Sequence, residues 1–218
     1  MERKGKLQKE VKKRLLLQYL VYTPEGREEG EERLPLLLFL HGAGERGSDL
    51  ERVKRHGIPS FLEWMEEEPF VLAAPLCPLE ATWEDKTEEL LALIEELSAV
   101  YRVDDRRIYL TGLSMGGYGV WDLAAKRPDR FAAIVPICGG GNPKLAHRLK
   151  EVPVWAFHGA EDQGVPFRES EEMVQAVQAC GGTARLTLYP GVGHICWPAA
   201  YSDNELRQWL FEQSKQRE

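Results

Sequence analysis

Residues 107–125 read RIYLTGLSMGGYGVWDLAA, and the middle of that stretch decides the fold. Residues 107–111 are a short run of apolar and β-favouring side chains, which predicts a strand. Residues 117–125 place small and apolar residues at helical spacing, which predicts a helix. Between them, Gly112-Leu113-Ser114-Met115-Gly116 fits G-x-S-x-G, a strand-to-helix turn sharp enough to hold its serine in a strained backbone conformation. Glycine on either side removes the Cβ atoms that would collide across the turn. The serine hydroxyl then faces the crevice at the C-terminal ends of the strands, where open α/β sheets bind ligands.

Outward from this turn, short apolar runs alternate with helix-period stretches, the pattern of a mostly parallel sheet covered on both faces. Strands are predicted at 16–22, 36–40, 70–74, 107–111, 132–137, 154–157 and 185–189. Leu90, Ile94, Leu97 and Tyr101 mark one helix, with Glu88, Glu89, Glu95 and Glu96 for its wet face. Met173, Val174 and Val177 mark another, closed by Cys180-Gly181-Gly182. Leu206, Trp209 and Leu210 mark a last one. The expectation is an α/β fold: a twisted, mostly parallel sheet of about seven or eight strands, with helices on both faces and no cap domain. Residues 1–218 are expected to form one domain, with 1–14 as a basic arm and the charged run 25–33 as a surface connection.

Composition narrows the functional classes. A chain of 218 residues with 43% hydrophobic and 29% charged residues can bury one sizeable core. A formal net charge of −7 argues against a general nucleic-acid binder. Leu15-Leu16-Leu17 is interrupted at once by Gln18, so neither a secretory leader nor a membrane span is predicted, and a cytoplasmic location is expected. Cys77, Cys138, Cys180 and Cys196 form no CxxC pair and have no zinc-ligand spacing. They are expected to be free thiols, and no metal or cofactor is implied. The sequence carries no signal of oligomeric state.

A serine does not attack an acyl carbon unaided at neutral pH; it needs a base, an acid that orients the base, and donors for the oxyanion. Gly191-Val192-Gly193-His194 follows the last predicted strand, and its glycines let the loop bring an imidazole over Ser114. After the strand at 154–157, His158-Gly159-Ala160-Glu161-Asp162 offers two carboxylates, Glu161 and Asp162. After the strand at 36–40, His41-Gly42-Ala43-Gly44 offers an open backbone. The Ala43 N–H, with Gly44 as the alternative, and the Met115 N–H are the expected oxyanion donors. A phosphate-binding turn is the rival reading of this glycine-rich loop, which lacks the Gly-Lys-Ser/Thr ending of a P-loop.

With these segments assembled, the chain resembles compact α/β-hydrolases related to phospholipase/carboxylesterases, bacterial predicted peptidases and feruloyl-esterase-like proteins. The likeness rests on LLLFLHGAGERG at 36–47, APLCP at 74–78, Trp83, TGLSMGGYG at 111–119, PICGGG at 136–141, residues 158–166, and GVGHICW at 191–197. The resemblance implies a Ser114–Asp162–His194 triad in the chain order of that fold, with Ala43 and Met115 as oxyanion donors. It selects Asp162 over Glu161 through the H-G-x-x-D turn followed by Val165-Pro166. It implies a carboxylic-ester hydrolase acting through an acyl-enzyme on a small-molecule ester. Peptidase or thioesterase chemistry on the same parts is the nearest alternative, and a non-catalytic binding protein the distant one. Larger relatives insert a lid; no stretch here is long enough for one, which suggests short, soluble acyl esters. Some dienelactone hydrolases use a thiol nucleophile, whereas this elbow carries serine, so Cys77, Cys138 and Cys196 are expected to pack. Trp83 and Trp197 either line the substrate pocket or belong to the core. His41 is expected to brace the oxyanion loop and His158 the acid turn.

Overall fold

The computed structural model describes residues 15–24, 33–60, 64 and 68–216. The basic arm expected at 1–14, and residues 25–32 of the expected surface connection, lie outside the described residues. Seven strands form one sheet: β1 (Gln18–Tyr22), β2 (Leu34–Leu40), β3 (Val71–Leu76), β4 (Val103–Leu113), β5 (Ala133–Ile137), β6 (Val154–Gly159) and β7 (Ala184–Tyr189). Their order across the sheet is β1-β3-β2-β4-β5-β6-β7, and only β1, at the edge beside β3, runs antiparallel.

The apolar runs are continuous because both faces of the sheet are covered. Along β2, Leu36, Leu38 and Leu40 enter one core cluster while Leu37 and Phe39 enter the other, and all five are fully buried. Each contributes about 1.5–3 kcal/mol of burial. Over the first face lie α1 (Thr87–Val100), α2 (Met115–Lys126) and α3 (Arg168–Ala179), through Leu90, Ile94, Leu97, Val120, Leu123, Met173 and Val177. Over the second lie α4 (Trp197–Tyr201) and α5 (Asn204–Glu212), through Tyr201, Leu206 and Leu210, together with Val53, Ile58 and Trp64. At the end of α3, the Gly182 N–H donates to the Val177 carbonyl at 3.0 Å, with Gly181 at φ +81°. That is the left-handed stop its glycine pair predicted.

Most strand ends differ from expectation by one or two residues, and two differences are instructive. β1 starts at Gln18 rather than at residue 16, and Leu16 is exposed. β4 starts at Val103 rather than at residue 107, because Val103 pairs with Leu34, while Asp104 is half-buried and Asp105 and Arg106 are exposed. Charged side chains there hide a strand from any reading of apolar pattern.

This topology also creates the crevice. The chain leaves β2 for β3 on one side and returns to β4 on the other, so the loops after β2 and β4 diverge from neighbouring strand ends, where Leu40 pairs with Gly112.

Candidate active site

The end of β4 passes into α2 through a single residue, Ser114, at φ +55°. A non-glycine residue there is strained, and the surroundings hold it. The Ser114 N–H donates to the Ile137 carbonyl at 2.9 Å, and the Tyr118 N–H returns to the Ser114 carbonyl at 3.1 Å. The turn passes directly against β2: a Cβ on Gly116 would fall inside the van der Waals shell of the Leu40 carbonyl oxygen. Only glycine fits at that position.

Three loops meet above this serine. His194 Nε2 lies 2.9 Å from Ser114 Oγ, and His194 Nδ1 lies 2.6 Å from Asp162 Oδ2. The Asp162 side chain is fully buried and that of His194 is 31% exposed, so the carboxylate is sheltered while the imidazole reaches the surface. Asp162 Oδ1 accepts from the N–H groups of Gly164 at 2.8 Å and Val165 at 2.9 Å. Burial pushes the Asp162 carboxyl upward. The bonds from Val165, His194 and Gly164 outweigh burial and hold it below the ordinary carboxylate value, hence ionised at neutral pH. An ionised acceptor at Nδ1 requires the proton there and leaves the Nε2 lone pair facing the serine. Glu161, the other candidate carboxylate, gives its N–H to the Val192 carbonyl at 2.9 Å.

The loops that carry Asp162 and His194 are joined through backbone. The Ala160 N–H donates to the Tyr189 carbonyl at 3.0 Å, and a Cβ on Gly159 would collide with the carbonyl oxygens of Gly193 and Val192.

On the other side of Ser114, His41 governs the loop after β2. Its Nε2 accepts the Cys77 N–H at 3.0 Å, so its proton lies on Nδ1, which donates to the Gly42 carbonyl at 2.6 Å. Burial lowers the His41 pKa and favours this neutral form. The 42–43 peptide is planar, so fixing the Gly42 carbonyl fixes the Ala43 N–H on the opposite side. Two guanidinium groups pin the rest of the turn. Arg52 donates to the carbonyls of Gly44 and Arg46, both at 2.7 Å, and Arg46 donates to those of Ala43 at 3.2 Å and Ala81 at 3.3 Å. Ala43 and Gly44 are exposed, and Met115, first residue of α2, is half-buried with an N–H that helix geometry leaves without an intrahelical partner. Residues 42–47 also fit G-x-G-x-x-G. Yet Ala43–Glu45 forms only a 3₁₀ turn, not the helix that such a loop opens in dinucleotide-binding folds.

The two tryptophans differ. Trp83 is buried, donates to the His41 carbonyl at 2.9 Å and stands edge-on to the His41 ring, supporting the loop from beneath. Trp197 stands edge-on to His194 and to His56, with centroids 6.0 Å and 5.7 Å away. All four cysteines are free; Cys77, Cys138 and Cys196 are buried, and burial pushes the Cys77 thiol up to about 11, far from a reactive thiolate. Two features were not expected from the sequence: the Arg52 clamp, and a second carboxylate–imidazole pair, Glu45 Oε1 to His56 Nδ1 at 2.7 Å; His158, expected to brace the acid turn, lies 3.1 Å from Asp162 Oδ2. Among the described residues no cluster of three or more His, Cys, Asp or Glu side chains is arranged to hold a metal, and no helix is long and apolar enough to cross a membrane.

Comparison with known proteins agrees with this architecture. A thermostable esterase of known structure superposes with a TM-score of 0.85 at 33% identity, covering 91% of this chain and 60% of that one. The feruloyl esterase module from Clostridium thermocellum superposes with a TM-score of 0.72 at 16% identity, covering 94% and 90%, a likeness of fold alone. A bifunctional acetylxylan esterase/xylanase from Neocallimastix patriciarum is 27% identical over 157 residues, 69% of this chain and 22% of that protein. The chain therefore spans only about a fifth of that curated relative. The sequence model of the dienelactone hydrolase family matches residues 77–201, a stretch that takes in the elbow, the acid turn and the base loop but not the loop after β2. With more than half its length matched, this α/β chain, built on a seven-stranded sheet, is a member of the dienelactone hydrolase family.

Proposed function

We propose that the protein is a serine esterase in which Ser114 is the nucleophile, His194 the general base and Asp162 the acid that orients it. The observation that carries this reading is the unbroken run Ser114 Oγ–His194 Nε2, 2.9 Å, and His194 Nδ1–Asp162 Oδ2, 2.6 Å, above a strained elbow. Ser114 Oγ attacks the acyl carbon as His194 takes its proton. The imidazolium, held by the Asp162 charge, passes that proton to the leaving alcohol; water, activated by the same histidine, then releases the acid. The N–H groups of Ala43 and Met115 receive the oxyanion, each donor worth roughly 3–4 kcal/mol in the transition state.

The substrate is a small-molecule ester with a short, soluble acyl group. The connection from β5 to β6 supports this, since its regular structure is one 3₁₀ stretch, Pro143–Leu149, with no lid to shelter a long chain. A cytoplasmic location belongs to the same proposal, supported by four unpaired thiols.

A fluorophosphonate probe tests the chemistry: it should label the wild type and fail to label Ser114→Ala. Labelling that persists in that variant overturns the proposal. A panel of matched p-nitrophenyl esters, thioesters and peptide amides tests the substrate class, the esters being expected to show the highest kcat/KM. Preference for long acyl chains at an oil–water interface contradicts the short-chain reading.

A further inference from the structure

We infer that His158 is a positioning residue for the acid: with its proton on Nε2, it holds Asp162 Oδ2 at the meeting point of two imidazoles and trained on His194. This rests on the roles proposed for Ser114, His194 and Asp162, and adds a fourth residue to them.

Hydrogen counting carries the inference. The His158 side chain, near the end of β6, is fully buried. Its Nε2 lies 3.1 Å from Asp162 Oδ2 and 2.9 Å from the Val165 carbonyl. With Asp162 ionised, both neighbours only accept, so Nε2 must carry the proton. Its Nδ1 lies 2.8 Å from Ser170 Oγ on α3, and that hydroxyl lies 2.7 Å from the Gly139 carbonyl. Burial drives the ring towards its neutral form against the pull of the Val165 carbonyl and the Asp162 charge. Nδ1 is then a bare acceptor, and the single Ser170 proton serves it and Gly139 in turn.

The imidazole is thus held at both nitrogens, once by the acid turn and once by α3. Asp162 receives four donors in all: two backbone N–H groups on Oδ1, and His194 and His158 on Oδ2. Rotation of the carboxylate would break bonds on both oxygens. A neutral donor also orients Oδ2 without cancelling the charge that the His194 imidazolium needs, which an arginine in the same place would cancel.

Two substitutions separate positioning from mere support. In His158→Gln the amide nitrogen reaches the Nε2 position and keeps a donor towards Asp162. In His158→Asn the amide oxygen reaches the Nδ1 position, keeps an acceptor towards Ser170 and the side chain loses the acid. With p-nitrophenyl acetate as probe, His158→Asn should lower kcat roughly tenfold or more at unchanged KM, and His158→Gln should recover to within about threefold of wild type. The downfield proton resonance of the His194 Nδ1–H should move in the Asn variant and stay in the Gln variant. Equal kcat in the two variants with an unmoved resonance overturns the inference. Where neither variant accumulates folded, Ser170→Ala decides: it touches no atom of Ser114, His194 or Asp162, and should lower kcat about threefold at unchanged KM. An unaltered kcat there overturns the inference. Ser114→Ala separates the two failures. If it retains turnover, the proposed roles fall and the inference with them; if it is inactive while the two His158 variants tie, only the inference falls.

Discussion

The molecule contains two buried carboxylates paired with histidines at nearly the same distance, and both rings stand edge-on to Trp197. Asp162–His194 is 2.6 Å and Glu45–His56 is 2.7 Å. They differ in what lies beyond the pair. His194 presents its second nitrogen to a serine held on a strained elbow, and Asp162 carries three further donors besides His194. Among the described residues the Glu45 carboxylate is hydrogen-bonded by His56, and its other oxygen lies 3.9 Å from His41 Nδ1. A carboxylate–imidazole contact is therefore no signature of chemistry by itself; the group beyond the ring and the full set of donors on the acid make the difference.

The sharpest way to break this contrast is to remove the alcohol. Ser114→Ala should lower kcat by about 10⁵–10⁶ in an ester assay, since members of such a relay act as a unit. Next comes Asp162→Asn, expected to cost about 10³–10⁴ in kcat by favouring the wrong tautomer of His194. The matched change Glu45→Gln should leave kcat within about fivefold; a loss comparable to that of Asp162→Asn would erase the distinction between the pairs. Gly116→Ala acts on the elbow itself. Its Cβ has no space against the Leu40 carbonyl, so chemical denaturation should show a loss of about 3 kcal/mol or more.

The smallest effect is thermodynamic. Burial holds His41 and His158 below the ordinary value of 6.5, so the unfolded chain binds more protons than the folded one as pH falls through that value. Their contribution is fully present above about pH 6.5 and is lost on acidification, with a slope of at most about 1.4 kcal/mol per pH unit for each ring. Asp162, whose folded pKa is depressed, adds a loss of the same sign at lower pH. Tm followed from pH 7.5 to 5 should fall, and should fall less in His41→Gln. An equal fall in that variant would show that His41 does not contribute.

What could be read from the sequence was whatever the backbone writes locally. The elbow announces itself because strand, glycines, serine and helix are consecutive. The acid and base loops follow because each comes directly after an apolar strand, which also located all seven strands of the sheet to within a few residues. The pairing of Glu45 with His56 and the Arg52 clamp on Gly44 and Arg46 were not legible, and of His158, expected as a brace of the acid turn, the particular bonds of each ring nitrogen were not. The first joins two side chains and the second a side chain to backbone carbonyls, across 3₁₀ turns and irregular backbone where no period relates one residue to the next. His158 directly follows the apolar run 154–157, which fixes its place beside the turn but not the partners of its ring. The early start of β4 was hidden for the opposite reason, since Asp104, Asp105 and Arg106 are wet residues on a paired strand.

The contact of Gly159 with Val192 and Gly193 has a consequence for how such a protein can be remodelled. Main chain abutting main chain turns two sequence-distant loops into one mechanical part, with no side chain between them to shrink or enlarge. Insertions on that flank would pull Asp162 and His194 out of alignment together. The opposite flank, where Ala43 and Gly44 lie open to solvent and Gly44 has free space around its Cα, is where a new leaving group or acyl shape can be accommodated without disturbing the reactive atoms.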